Sequence, residues 1–292
     1  MKVINYGSLN IDLVYRVPHI VRPGETIASG GFETFAGGKG ANQSMALARA
    51  GAAVWHGGGI GRDGRWVIEK LGEAGVDTRL VDVVDGPSGH AVIQVDDAGE
   101  NAIFLFAGAN HRIDVARAAE SLGQFESGDL LLLQNEVNDV PGLIEAGAAA
   151  GLQVCLSPAP FTPDVARWPL DRLSLLVVNE TEAAGLVGQG EAQDMLRQLQ
   201  GRLRSDDAEV VMTLGAGGAL YAQGREVVHQ PAIAATAVDT TAAGDTFIGY
   251  FLAARARGEP AEAALELACR AAAVCVSRPG AMDSIPEAGE LA

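Results

Sequence analysis

The chain has 292 residues, of which 48% are hydrophobic and 20% charged, with a formal net charge of −16. That apolar share is enough for the core of one large α/β domain, and no stretch is polar or repetitive enough to be disordered. The acidic balance excludes nucleic acid and anionic membrane as partners, and the absence of a long apolar run or a basic–apolar leader predicts a cytoplasmic protein.

In chain order, the apolar run Val3–Tyr6 reads as a buried strand, which turns polar across Gly7-Ser8-Leu9-Asn10-Ile11-Asp12. Asn10 and Asp12 fall on the same side of that extended chain. Leu13–Val17 with Glu25–Phe35 reads as an antiparallel pair. Gly37-Gly38-Lys39-Gly40-Ala41-Asn42-Gln43 then opens a helix continued by Met45, Leu47, Ala48 and Ala50 and closed by Gly51. A strand follows at Val54–Gly58 and a helix at Gly64–Ala74. His90–Val95 and Ala102–Phe106 read as a second antiparallel pair around an Asp96–Asn101 turn. Strands at Leu130–Leu133, Gln153–Leu156, Leu175–Val178 and Val210–Leu214 then alternate with helices at Val140–Ala150 and Ala192–Leu203. The chain closes with helices at Gly244–Arg257 and Ala261–Val276. Continuous Val/Leu strands between helices predict a three-layer α/β/α domain on a mostly parallel sheet. The two antiparallel pairs, at residues 13–36 and 88–109, interrupt this rhythm as a small β-sheet projecting from a single domain spanning 1–292.

Chemistry concentrates where strands and loops meet helices. Asp239-Thr240-Thr241-Ala242-Ala243-Gly244-Asp245-Thr246-Phe247 runs into a helix through small residues. Helix starts carry unpaired amides and partial positive charge, so this one reads as an anion site for phosphate. A carboxylate is repelled by phosphate, so Asp245 makes sense there as a base that takes a proton from an attacking hydroxyl, or else as an ordinary helix cap. Asn10, Asp12 and Asn42 suit a cage for vicinal hydroxyls. Lys39 is followed by Gly40 rather than Ser or Thr, so the first glycine cluster is not a Walker A loop. The three cysteines, Cys155, Cys269 and Cys275, lack metal-ligand spacing and read as buried packing residues of a reduced protein.

Taken together, Asn10-Ile11-Asp12, Pro23–Thr26, Gly37–Gln43, Ser157-Pro158-Ala159-Pro160, Asn179–Ala183, Thr213-Leu214-Gly215 and Asp239–Phe247 resemble, in that order, the ribokinase family of PfkB-type carbohydrate kinases. The resemblance spans nearly the whole chain, although Ser157 stands where the family has Asn. It implies an ATP-dependent sugar kinase acting on a primary hydroxyl, with ribose the leading substrate. A ketose or nucleoside kinase, and a non-catalytic binder on the same scaffold, are the alternatives.

By that resemblance Asn10, Asp12, Gly38, Lys39, Asn42 and Glu136 line the sugar site, and Asp245 is the base. The amides of Ala242, Ala243 and Gly244 form the anion hole. Asn179, Thr213, Gly215, Gly218 and Gly244 contact the nucleotide, and Glu182 organises magnesium through water. Asn179 and Glu182 also read as a helix capping box. Asp239, Thr241, Cys275, Arg278, Gly280 and Ser284 correspond to a loop that holds a monovalent cation, potassium, mostly through backbone carbonyls. The resemblance makes the small sheet a lid through which two copies dimerise. His111 reads as a surface lid residue, since Asp245 fills the role of base.

Overall fold

Residues 1–203 and 207–291 are described by the computed structural model of the chain. The first strands are β1 (Val3–Tyr6), β2 (Asn10–Arg16) and β3 (Gly31–Gly37), followed by helix α1 (Lys39–Arg49) and strand β4 (Val54–Gly61). Helix α2 (Arg65–Glu73), strands β5 (Asp77–Val84), β6 (Gly89–Val95) and β7 (Asn101–Phe106), and helix α3 (Val115–Leu122) come next. The second half alternates β8 (Leu130–Gln134), α4 (Val140–Ala149), β9 (Gln153–Ser157), β10 (Leu175–Asn179), α5 (Glu180–Val187), α6 (Ala192–Gln200) and β11 (Glu209–Thr213). The hairpin β12 (Ala219–Gln223) and β13 (Glu226–Gln230) precedes the helices α7 (Ala243–Ala256) and α8 (Ala261–Val276).

Nine strands form the central sheet in the order β13-β12-β11-β10-β9-β8-β1-β4-β5. From β11 through β5 every neighbouring pair is parallel, and the β12–β13 hairpin adds the antiparallel edge. Leu131, Leu132 and Leu133 of β8 are all fully buried, as a strand covered on both faces requires. One face packs on α1, α2, α7 and α8, and the other on α3 to α6, so each face has its own apolar cluster. Among the described residues no helix is long and apolar enough to cross a membrane.

A separate four-stranded sheet runs in the order β3-β2-β6-β7. Its two hairpins, β2–β3 and β6–β7, are joined by parallel pairing of β2 with β6. The strand expected from Glu25 begins only at Gly31. Glu25 instead closes a local turn, accepting from the Arg22 amide at 3.0 Å and meeting His19 Nε2 at 2.8 Å. The segment's one link to a strand among these contacts is the Val21 amide, which donates to Gln94 Oε1 of β6 at 3.0 Å. β5 and α3 had no counterpart in the sequence reading. β5 is an edge strand that is only partly buried, so Asp77, Arg79 and Asp82 break the apolar run that marks the inner strands.

Candidate active site

Two helices bring the separated motifs together. Asn42 and Gln43 of α1 reach Asp245 of α7, and one turn later Ala46 of α1 faces Gly249, so the helices run parallel with their N-termini side by side. Gly249 permits this approach, because a Cβ there would collide with the Ala46 methyl and the Leu47 amide. At the start of α1, Gly38 adopts φ 94°, in the left-handed region, and Gly40 packs its backbone against Gly7 and Ser8. The glycines of this cluster therefore serve close backbone approach, and two of its amides are used internally. Lys39 N donates to Glu136 Oε2 at 3.0 Å, and Gly40 N to Ser8 Oγ at 3.2 Å.

The two helix starts open onto a cleft of about 480 Å³ under the four-stranded sheet. Asn10, Asp12, Gly38, Lys39, Asn42 and Glu136 line it together with Asn179, Glu182, Thr213, Thr240, Thr241, Ala242, Gly244 and Asp245. Asp245 accepts from Asn42 Nδ2 at 3.0 Å and Gln43 Nε2 at 2.8 Å, one donor on each carboxylate oxygen. Burial raises its pKa above the usual carboxylate range, against the pull of Lys39 and these two amides. Burial, with the charge of Glu136, pushes Asp12 up to about 6. Burial works against the Lys39 ammonium, yet Asp245, Glu136 and Glu182 together hold its pKa above the ordinary value. The cleft thus contains one cation among four carboxyl groups, placed against helix N-termini.

Asn110, next to His111 in the turn after β7, is only 2% exposed. Its amide donates to Asn10 Oδ1 at 2.7 Å, and its oxygen accepts from Leu9 N at 2.9 Å, so it fixes how Asn10 faces the cleft. Ser8 likewise holds Glu136 through a short 2.5 Å hydrogen bond. Only the register of β1 with the neighbouring loops makes these pairs neighbours. His111 is exposed in the turn after β7.

The Thr240–Gly244 turn enters α7 without a side-chain cap, and its N-cap residue Ala242 sits in the left-handed region at φ 62°. A non-glycine residue held there costs on the order of 1–3 kcal/mol, a strain that concentrates at ligand sites. The Ala243 amide turns back on the Thr240 carbonyl at 3.3 Å. Among the described residues the amides of Ala242 and Gly244 make no backbone hydrogen bond. A Cβ added at Gly244 would meet no protein atom within 4 Å, so the turn faces open space in the cleft. Thr213, Thr240 and Gly244 also border a second cavity of about 560 Å³, lined by Gly215, Gly218, Phe247, Cys269 and the alanines of residues 232–237. A polar compartment and an apolar one therefore meet at Gly244.

Asn179 and Glu182 form the capping box of α5, with the Glu182 amide donating to Asn179 Oδ1 at 2.8 Å and the Asn179 amide to Glu182 Oε2 at 3.0 Å. Each Glu182 oxygen accepts one hydrogen bond from Asn179, which leaves further lone pairs for a water or an ion. Behind the turn, Asp239 accepts from Thr241 N and Oγ1 at 2.9 and 2.6 Å and from Gly280 N at 3.0 Å. Cys275 Sγ lies 3.7 Å from the Thr241 carbonyl and 3.1 Å from Ser284 Oγ. The Arg278 side chain pairs instead with Glu290 at 2.6 Å. Among the described residues no three His, Cys, Asp or Glu side chains cluster for a metal, so an alkali cation here would depend on backbone carbonyls. All three cysteines are free and buried.

The same arrangement recurs in known proteins. Residues 1–288 match the family described as pfkB family carbohydrate kinase. A ribokinase of Schizosaccharomyces pombe is 36% identical over 308 residues, covering 100% of this chain and 96% of the relative. The crystal structure of a ribokinase from Cryptococcus neoformans var. grubii, in complex with ADP, superposes with a TM-score of 0.87 at 37% identity, covering 99% of this chain and 98% of the other. A ribokinase of Arabidopsis thaliana, complexed with ribose and ATP, superposes with a TM-score of 0.87 at 30% identity, covering 99% and 97%. Fold, cleft and whole-length similarity agree that this chain belongs to the pfkB family of carbohydrate kinases, phosphotransferases with an alcohol group as acceptor.

Proposed function

We propose that this carbohydrate kinase is an ATP-dependent ribokinase that phosphorylates the primary hydroxyl of D-ribose to give ribose 5-phosphate. The observation that carries the reading is the meeting of a polar and an apolar compartment at Gly244, directly beside a carboxylate held on both oxygens. The chain acts as one catalytic unit, with the four-stranded sheet as its lid. Asn10, Asp12, Gly38, Lys39, Asn42 and Glu136 bind the sugar hydroxyls. Asp245 takes the proton of the primary hydroxyl as that oxygen attacks the γ-phosphorus, and ADP leaves on the opposite side. The raised pKa of Asp245 makes it a stronger base than an ordinary carboxylate. The free amides of Ala242 and Gly244, with that of Ala243, stabilise the charge on the transferring group.

The apolar cavity suits the adenine base, with Thr213, Gly215 and Gly218 along the ribose and phosphates and Asn179 beside them. Magnesium, when bound, would neutralise phosphate charge, with Glu182 to hold one of its waters. Carbonyls of the Asp239–Thr241 and Cys275–Ser284 segments would hold a potassium ion, whose charge would brace the anion hole. Two copies pair through their lids, because the edge strands β3 and β7 expose Phe32, Ile103, Phe104, Leu105 and Phe106 at 49–60%. A cytoplasmic location fits the need for ATP and the three free, buried thiols.

The test is a coupled ADP-release assay with ribose, 2-deoxyribose, fructose and nucleosides. Ribose should give the highest kcat/KM, with no release in its absence. A ketose or nucleoside preferred by about tenfold or more reassigns the substrate. No sugar-dependent release at all favours a binding protein on the kinase scaffold.

A further inference from the structure

Three amide side chains lie where the core is otherwise apolar. Asn5 interrupts β1, Gln134 ends the leucine run of β8, Gln43 sits one turn into α1, and all three are fully buried. Buried amides are costly unless paired, and here the pairs form one chain that leaves only the Gln134 oxygen, among these three amides, without a partner. Gln43 Nε2 donates to Asp245 Oδ1 at 2.8 Å. Gln134 Nε2 donates to Gln43 Oε1 at 2.8 Å and to Asn5 Oδ1 at 2.9 Å. Asn5 Nδ2 donates to the Gly40 carbonyl at 2.8 Å and to Ser44 Oγ at 2.9 Å, and Ser44 meets His56 Nδ1 at 2.8 Å.

The carboxylate sets the direction of this chain. An ionised Asp245 only accepts, so Gln43 must present its NH₂ to it, which leaves the Gln43 oxygen to accept from Gln134 and the Gln134 NH₂ to reach Asn5 as well. None of the three amides is among the residues lining the cleft, where Asn42 holds the other carboxylate oxygen. We propose that Gln43 is a positioning residue for the catalytic base, clamped by Gln134 and Asn5 so that the Asp245 carboxylate is tied from behind to the inner strands β1 and β8. This rests on the kinase reading above. With a donor on each oxygen the carboxylate plane is fixed, and its remaining lone pairs face the substrate hydroxyl. The Gln43 hydrogen bond also favours the ionised form, alongside Lys39 at the start of α1 and against Glu136 after β8 and Glu182 in α5.

The experiment compares wild type, Gln43→Met, Gln134→Met and the double variant. Wild type must first release ADP only with ribose; if it does not, the kinase reading fails and the positioning claim falls with it. Gln43→Met keeps the length and burial but removes the donor. It should retain a cooperative melt and leave both KM values within about twofold, while kcat falls about 10- to 100-fold. The acid limb of its kcat profile should move to higher pH. Gln134→Met, which leaves Gln43 present but unclamped, should shift both readouts less and in the same direction. The double variant should be no worse than Gln43→Met, because the clamp has nothing left to hold. Wild-type kcat with an unmoved acid limb in Gln43→Met, or KM rising as much as kcat falls, would overturn the proposal. If Gln43→Met does not fold, Gln134→Met decides in the same way.

Discussion

Replacing Asp245 with Asn separates the base from the scaffold that holds it. In the wild type both carboxylate oxygens accept, one from Gln43 and one from Asn42. An amide at this position has one oxygen and one NH₂. The oxygen faces Gln43, whose orientation is fixed by Gln134. The NH₂ then meets Asn42, whose own Oδ1 is buried without a partner and can turn to accept. The hydrogen bonds are conserved, so Asp245→Asn folds. Stability follows the sign of the pKa shift. Burial raises the folded-state pKa above the unfolded value, so this group favours the fold below its unfolded pKa and loses that contribution as pH rises through the folded one. Above the folded-state pKa the ionised carboxylate is a net cost, and there the amide should leave Tm equal or higher. Turnover should nonetheless fall by ~10²–10⁴-fold, the usual loss for a general base. That corresponds to about 3–5 kcal/mol of barrier, with KM for ribose and ATP near wild type. Steady-state kinetics at saturating substrates, with a thermal melt on the same preparation, make the check. A kcat within about tenfold of wild type would refute Asp245 as the base.

Asp12, with its carboxyl pushed up to about 6, should bind ribose best when ionised. The ribose KM should therefore rise as pH falls through about 6 while the ATP KM stays flat; a ribose KM indifferent to pH there would remove Asp12 from the sugar site. Gly244→Ala adds a methyl that meets no protein atom within 4 Å, and it relieves a helix glycine worth roughly 0.5–1 kcal/mol. It should raise Tm yet lower kcat and weaken ATP, and unchanged kinetics would show that phosphate does not lie there. Phe104→Glu, at a side chain 60% exposed on the edge strand β7, should give a monomer by sedimentation, and a persisting dimer would place the interface elsewhere. Exchanging potassium for tetramethylammonium at constant ionic strength should lower kcat. Equal turnover in both salts would leave Asp239 as the hydrogen-bonded pin between its own turn and Gly280.

The features legible in the sequence are those carried by local chemistry. Inner strands such as Leu130–Leu133 declare themselves as unbroken apolar runs, and the start of α7 by small residues around a single Asp. What could not be read depends on long-range register. β5, at the sheet edge, is only partly buried, so it has no need of an apolar run. The expected strand at Glu25–Ser29 fails because Glu25 closes a turn on His19 and Arg22, a contact that β-propensity does not report. Asn110 and Gln134 act through partners 100 and 129 residues away, which only the fold brings near. The one trace of Gln134 in the sequence is a polar residue at the end of a leucine strand. In Gly37–Asn42 the amides of Lys39 and Gly40 bond to Glu136 and Ser8, 97 and 32 residues away, partners that the local glycine pattern does not name.

The most direct measurement is identification of the product formed from ATP and D-ribose by the purified protein, using phosphorus and proton NMR. The account predicts one product, ribose 5-phosphate, formed in step with ADP and absent when Asp245 is replaced by Asn. ATP hydrolysed to free phosphate with ribose unchanged, or phosphate on any hydroxyl other than the primary one, would contradict it.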